Sequence, residues 1–261
     1  MAQDRDLVII EGTGHAGVGS VFDLSNATVA RMLDSKVIIV SSGGIGRPID
    51  EIALNQALFE KEKVEIAGVI INKVRPEKYD KINRLVRLGL GKKGLKVLGV
   101  IPYQEILSEP TVRQIREELD FRLLSGRDSA LERRVENILV GAMAPHNALN
   151  YFSDKSLIIT PGDREDIILS VIGFQMDHTE EGVGVAGIIL TGGIEPHHTV
   201  MQLAERSNIP VLLAPGDTYS VASSVHDLTI KIEPGDQEKE QIIKDLIVKY
   251  VDIKALIKML S

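Results

Sequence analysis

Short apolar runs rich in β-branched residues alternate with longer amphipathic segments along almost the whole chain. Each apolar run is too short for a helix, and a polar turn or a turn of small residues follows it. This alternation is typical of βα units, which build a mostly parallel sheet with helices packed against it. The pattern therefore predicts an α/β fold.

Two series of such units predict two domains, each a mostly parallel sheet flanked by helices. The charged stretch 121–134 separates the series, and the predicted domains are 1–125 and 133–261. The first series predicts strands at 7–11, 37–41, 66–72 and 97–101, and helices at 26–33, 49–61, 77–90 and 110–119. The second series predicts strands at 138–142, 157–160, 185–191, 211–214 and 228–232, and helices at 146–152, 164–176, 197–207, 219–225 and 239–260.

The last predicted helix, 239–260, carries apolar residues alternately three and four positions apart, with lysines off this stripe. One interpretation is that the stripe packs on its own domain. The other is that the helix docks on a partner or forms a dimer.

Composition excludes several classes of protein. The chain has no cysteine, which removes disulfides and thiolate chemistry and suits a reducing cytoplasm. Thirty basic against 37 acidic residues give a net charge of −7, which argues against a general nucleic-acid binder. The polar first residues show no signal peptide, and no apolar run approaches the length of a membrane span. We expect a cytoplasmic protein.

A glycine-rich loop follows the first predicted strand and begins at Glu11. It contains Gly12, Gly14 and Gly17 in the spacing of a dinucleotide fingerprint, but the next helix begins too late and no acid ends the next strand. The alternatives are an ordinary loop, or a site in which Glu11 faces a cation or polar ligand and the glycine amides approach an anion. His15 in this loop is a possible ligand contact.

A second glycine-rich turn, containing Gly44 and Gly46, leads from a predicted strand into a helix. Amides at such a helix start form a ready anion site, and Arg47 would add a charged donor. A P-loop needs Gly-x-x-x-x-Gly-Lys-Ser/Thr after a strand, and the nearest candidate, 89–94, lacks both the first glycine and the hydroxyl residue. No nucleophile elbow or helical zinc pair appears either.

Three polar turns follow strands of the second predicted domain. Ligands of open α/β sheets bind beyond the carboxyl ends of the strands, so these turns predict a pocket. Alternatively, each aspartate only caps the helix that follows it. The residues concerned are Asp163, Arg164, Thr191, Gly192, Gly193, Asp217 and Thr218.

These motifs resemble known families. The segments 7–14, 37–46, 68–74 and 98–102 resemble the later part of dethiobiotin synthetase-like and cobyrinic acid a,c-diamide synthase-like P-loop domains. Residues 140–232, with the Asp163-Arg164 pair and the Thr-Gly-Gly turn, resemble the DRTGG domain. Together the two parts resemble the N-terminal region of long phosphotransacetylases and their stand-alone relatives.

The resemblance implies site residues. In the dethiobiotin synthetase-like family the acid corresponding to Glu11 helps to hold magnesium near the phosphates of ATP. The residue corresponding to Asn72 reads adenine, and Pro102 corresponds to the adenine wall. The family's P-loop should precede the first predicted strand, where only six residues stand.

Three functions follow as hypotheses. The leading one is a non-catalytic regulatory or ligand-sensing module that binds a nucleotide, such as ATP with magnesium, or another small anionic metabolite. The second is a subunit of an ATP-dependent ligase or synthetase, completed by a P-loop-bearing partner chain. The third is a structural assembly module, which forms a homo-oligomer through the last helix and the sheet edge beside 7–11.

Overall fold

The computed structural model describes residues 7–177 and 184–260. Its strands are β1 (Val37–Ser42), β2 (Ile66–Val74), β3 (Val97–Pro102), β4 (Arg122–Ser125), β5 (Asn137–Val140), β6 (Ser156–Pro161), β7 (Gly187–Thr191) and β8 (Val211–Leu213). Its helices are α1 (Asn26–Met32), α2 (Arg47–Lys61), α3 (Tyr79–Gly91), α4 (Val112–Glu118), α5 (Asp128–Leu131), α6 (Pro145–Ala148), α7 (Glu165–Asp177), α8 (His198–Arg206), α9 (Thr218–His226), α10 (Gln237–Tyr250) and α11 (Ile253–Leu260). Within these described ranges no helix has the length and apolarity that a membrane span requires.

Two compact units divide the chain. The first takes its described residues from Met1–Gln104 and Gly235–Ser261, and the second is Glu105–Pro234. The predicted α/β fold with two domains is confirmed, because each unit has a mostly parallel sheet flanked by helices.

The sheet of the first unit has the order β1-β2-β3, and both pairs of strands are parallel. β2 and β3 are β-branched and largely buried, as strands covered on both faces should be. The predicted strand at 7–11 is not formed: these residues pair with no strand within 7–177 and 184–260, and the side chains of Leu7, Val8, Ile9 and Ile10 are exposed. Apolar β-branched sequence alone does not make a strand without a neighbour to accept its hydrogen bonds.

The first unit also contains the C-terminal helices, which the sequence assigned to the second domain (133–261). The physical reason is a short antiparallel bridge between Val251 and Gly99 of β3, where the amide of Asp252 donates to the Leu98 carbonyl at 2.8 Å. A Cβ on Gly99 would lie 2.8 Å from the Tyr250 carbonyl oxygen, so only glycine allows this approach. The bridge divides the predicted single helix 239–260 into α10 and α11.

The sheet of the second unit has the order β4-β8-β7-β6-β5, in which β4 is antiparallel to β8 and the other pairs are parallel. β6 and β7 are central and buried along their length, with one apolar cluster on each face of the sheet. β4 lies inside the charged stretch 121–134, where the sequence predicts a boundary between domains and no strand. The predicted strand at 228–232 has no strand partner among the described residues.

Candidate functional site

The carboxyl ends of β6, β7 and β8 lie at the same edge of the second sheet, because the three strands are parallel neighbours. The three polar turns singled out from the sequence follow these ends directly. The structure therefore brings Asp163-Arg164, Thr191-Gly192-Gly193 and Asp217-Thr218 to one edge, which is the region where open α/β sheets bind ligands.

The Thr-Gly-Gly turn after β7 is bonded to the turn after β8. The hydroxyls of Thr191 and Thr218 lie 2.7 Å apart, and the amides of Gly192 and Gly193 donate to the carbonyls of Gly216 and Ala214 at 2.7 and 3.0 Å. Both glycines have a left-handed backbone, with φ of 79° and 64°. These two amides therefore join the turns to each other and are already used as donors.

The turn after β6 is packed against the same segment, backbone on backbone. The amide of Gly162 donates to the Thr191 carbonyl at 3.2 Å. A Cβ on Gly162 would lie only 1.7 Å from the carbonyl oxygen of Ile194, so no other residue fits without a shift of the backbone. The three turns thus form one bonded group at the edge.

Arg164 spans from the start of α7 to the loop that follows β5. Its Nε and Nη2 donate to the two carboxylate oxygens of Asp166 at 2.8 and 2.9 Å. Its Nη2 and Nη1 also donate to the carbonyls of Met143 at 2.8 Å and Ala142 at 3.4 Å. The hydrogen bond with Asp166 raises the pKa of the Arg164 guanidinium and lowers the pKa of the Asp166 carboxyl.

Asp217 caps α9. Its carboxylate accepts from the amides of Tyr219 and Ser220 at 3.0 and 3.1 Å and from the Ser220 hydroxyl at 2.6 Å. The hydroxyl bond, followed by the Ser220 amide bond, holds the pKa of the Asp217 carboxyl below its usual value. The helix-cap interpretation therefore describes Asp217. The exposed Asp163 is not a cap of this kind. Its negative charge instead helps to raise the pKa of Arg164, although the effect of Asp166 is larger.

Sequence reasoning missed two residues at this edge. Asp166 is the acid that holds Arg164, and its position two residues after the arginine is the signal that could have found it. Tyr219 lies in the first turn of α9 directly after Thr218, and 81% of its surface is exposed. An exposed tyrosine offers a planar face to a ligand.

In the first unit, the carboxyl edge of β1–β3 carries the second glycine-rich turn and two of the residues suggested by resemblance. Gly46 precedes α2, while the Nε of Arg47 is paired with Glu51 at 2.7 Å. The side chain of Asn72 accepts from the amide of Lys73 at 2.8 Å, and Pro102 is buried at the end of β3. The adenine-binding roles of Asn72 and Pro102, and anion binding at Gly44 and Gly46, stay predictions.

The first glycine-rich loop is held in place from two sides. The amide of Ala16 donates to Asn55 of α2 at 2.7 Å, and the side chain of Asn26 in α1 donates to the His15 carbonyl at 3.0 Å. A Cβ on Gly12 would lie 3.3 Å from the same Asn26 side chain. The loop is therefore bound to α1 and α2.

The exposed Glu11 precedes this loop and lies in no strand. Within residues 7–177 and 184–260, no group of three or more histidines, aspartates or glutamates could hold a metal ion. Magnesium commonly takes only one or two carboxylates and completes its shell with phosphate oxygens and water. Glu11 could thus supply one ligand to a magnesium nucleotide, together with Gly12 and Gly14, and this role stays a prediction.

Two domain families match the chain. Residues 1–111 match the AAA domain family, and residues 114–228 match the DRTGG domain family. The DRTGG match covers β4–β8 and all three turns at the edge of the second sheet.

Curated relatives match along the whole chain. The phosphate acetyltransferase of Synechocystis sp. is 32% identical over 272 residues, which covers 100% of this chain and 38% of the relative. Those of Nitratidesulfovibrio vulgaris and Pseudomonas putida are 28% and 30% identical, cover 96% and 95% of this chain, and are each matched over 36% of their length. The chain thus spans somewhat more than a third of these relatives.

A solved structure also shares a weak likeness: the CBS and DRTGG domains of the regulatory region of Clostridium perfringens pyrophosphatase, complexed with the activator diadenosine tetraphosphate. It is 16% identical with a TM-score of 0.38 and covers 68% of this chain and 85% of that one. The chain thus matches an AAA domain followed by a DRTGG domain, and this pair matches the N-terminal region of long phosphotransacetylases.

Proposed function

We propose that this chain is a non-catalytic, ligand-sensing module whose second unit binds a nucleotide at the carboxyl edge of its sheet. The observation that carries the proposal is the bonded group of three turns. The Thr191–Thr218 hydroxyl pair and the two glycine amides couple the ends of β7 and β8, and the Gly162 amide couples the end of β6 to the end of β7. A ligand that moves any one of these turns would therefore also move the turns that are hydrogen-bonded to it.

The exposed chemistry of this edge favours a nucleotide over a simple anion. Arg164 supplies one cation for a phosphate, and the Asp163 carboxylate can accept hydrogen bonds from ribose hydroxyls. Tyr219 offers an exposed ring on which a base can stack. The negative charges of Asp163 and Asp217 would repel a triphosphate, and magnesium would reduce this repulsion. ATP with magnesium therefore belongs among the ligands to be tested.

Arg164 supplies a means of sensing. A phosphate that takes the guanidinium must compete with Asp166 and with the carbonyls of Ala142 and Met143. Exchange of these partners would free the loop after β5, so binding at the edge would change the mobility of that loop. The signal is therefore a local loosening of residues 141–144.

Isothermal titration calorimetry with AMP, ADP and ATP, each with and without magnesium, tests the proposal. We expect saturable binding by the wild type and at least about tenfold weaker binding by Arg164→Gln, because a charge-assisted hydrogen bond is lost. The matched control is Arg206→Gln, in the last turn of α8, which leads into the amino end of β8; its affinity should equal that of the wild type.

Either of two results would reject this function. The first is an absence of saturable binding of all three nucleotides, or equal affinities of the wild type and Arg164→Gln. The second is ATP hydrolysis by the purified protein above that of Glu11→Ala, which would contradict the non-catalytic role.

A second candidate function, assembly into a homo-oligomer, is favoured by the exposed apolar residues of the first unit. Ile9 is 85% exposed, and its neighbours on either side are also exposed. Light scattering should give a dimer or larger assembly for the wild type and a monomer for Ile9→Asp. The control Leu54→Asp changes a side chain on α2 that is 73% exposed, and it should keep the wild-type mass; a monomeric wild type would reject the candidate.

A further inference from the structure

A cavity of about 560 Å³ lies in the first unit at the start of β3, away from both carboxyl edges described above. Its volume falls within the range of small-molecule sites. One wall comes from the end of α3 and the start of β3, and the other from the junction between α10 and α11. The lining residues are Arg87, Leu95, Lys96, Val97, Leu98, Lys249, Tyr250, Val251 and Asp252.

The wall at the helix junction is fixed to the sheet. Val251 bridges Gly99, and the amide of Asp252 donates to the Leu98 carbonyl at 2.8 Å. The ring of Tyr250 meets the ring of Tyr79 edge to face, with centroids 5.7 Å apart. The cavity therefore has a preformed boundary on this side.

The lining is cationic in a protein whose net charge is −7. Arg87, Lys96 and Lys249 contribute three positive charges and Asp252 contributes one negative charge, which leaves +2. The carboxylate of Asp252 already accepts from the amide of Ala255 at 2.9 Å, as the cap of α11. A net charge of this sign and size is complementary to a dianion.

Arg87 is held in position by its neighbours. Its Nε donates to the Asn83 side chain at 2.8 Å and its Nη1 to the Val97 carbonyl at 2.9 Å. The ammonium group of Lys249 lies 5.2 Å from the centroid of the Tyr250 ring. These two cations are thus placed before any ligand arrives, which lowers the ordering cost of binding.

We propose that this cavity binds a small phosphate monoester, such as a sugar phosphate. A phosphate monoester carries about −1.5 to −2 charges at neutral pH, which matches the net charge of the lining. The guanidinium and the two ammonium groups are the usual partners of phosphate oxygens. Asp252 can accept from hydroxyl groups of the sugar, and a ligand in contact with both walls holds the C-terminal helices on β3.

Titration calorimetry of the full chain with ribose 5-phosphate, inorganic phosphate and succinate tests the proposal. We expect saturable binding of the sugar phosphate at one site, and weaker binding of both inorganic phosphate and succinate. Lys96→Gln and Lys249→Gln should each weaken the sugar phosphate at least about fivefold, since each removes a charged donor. Lys254→Gln, the same charge change on α11 outside the cavity, should have no effect.

A second measurement locates the ligand. Hydrogen exchange at the amides of residues 250–252 should slow when ribose 5-phosphate is added, because the ligand joins the two walls. The proposal is overturned by a lack of saturable binding of ribose 5-phosphate up to about 10 mM. It is equally overturned if Lys254→Gln weakens binding as much as Lys249→Gln, or if succinate binds as tightly as the sugar phosphate.

Discussion

Among the glycines in the turns after β6 and β7, Gly162 should be the one whose replacement by alanine destabilises the second unit most. The new Cβ would lie 1.7 Å from the Ile194 carbonyl oxygen, whereas an ordinary carbon–oxygen contact is about 3.3 Å. The two backbones must therefore separate by about 1.6 Å. This separation also breaks the hydrogen bond from the Gly162 amide to the Thr191 carbonyl.

The expected cost follows from these two effects. Overpacking costs about 1–3 kcal/mol and the lost hydrogen bond about 1 kcal/mol, so the free energy of unfolding should fall by about 2–4 kcal/mol. Gly173→Ala is the matched control, because Gly173 is an exposed residue within α7 and a Cβ there meets no atom within 4 Å. This variant should be stabilised by about 0.5–1 kcal/mol, the helical advantage of alanine over glycine.

Urea unfolding monitored by hydrogen exchange at the amides of β6 and β7 reports the second unit by itself. With a slope of about 2 kcal/mol per molar urea, the midpoint of Gly162→Ala should fall by about 1–2 M, and that of Gly173→Ala should rise slightly. A midpoint of Gly162→Ala within about 0.3 M of the wild type would refute the close approach of the turns after β6 and β7.

Two further predictions concern titrating groups. Because the pKa of Asp217 is lowered in the folded protein, its contribution to stability is present above the ordinary value of 3.8 and is lost as the pH falls through the folded value. Asp217→Asn should therefore lower the thermal midpoint at neutral pH, with a difference that disappears in strong acid; a difference independent of pH would contradict this. Burial, with a smaller effect of Tyr250, raises the pKa of Tyr79, whose hydroxyl donates to the Val100 carbonyl at 2.9 Å. In an ultraviolet titration Tyr79→Phe should remove a tyrosine that ionises above the normal range, and it should cost about 1 kcal/mol of stability; loss of a normally titrating tyrosine would be the contrary result.

The sequence predicts the architecture correctly wherever the local pattern agrees with the tertiary surroundings of the segment. β6 and β7 are apolar, β-branched and buried on both faces, and the alternation with α7 and α8 fixes them as parallel neighbours. The convergence of the three turns then follows from topology. The cap role of Asp217 was one of two interpretations that the sequence left open, and the hydrogen bonds of its carboxylate identify it.

The features that the sequence does not predict depend on contacts between residues that lie far apart in the chain. β4 begins with a charged arginine and pairs at the edge of the sheet, so its sequence lacks the apolar run of a buried strand. The break between α10 and α11 depends on a bridge to Gly99, some 150 residues earlier in the chain, which no local pattern contains. Likewise, nothing near Arg164 in sequence shows that the carbonyls of Ala142 and Met143 will accept from it.

The return of α10 and α11 to β3 has a consequence for biosynthesis. A chain emerges from the ribosome with its amino end first, and domains form as units once all their residues have left the exit tunnel. Residues 105–234 are contiguous, so the whole of this unit leaves the ribosome before Gly235–Ser261 has emerged. The first unit can therefore be completed only after the second unit has emerged, and until then Gly99 lacks the backbone partner that Val251 supplies in the folded protein.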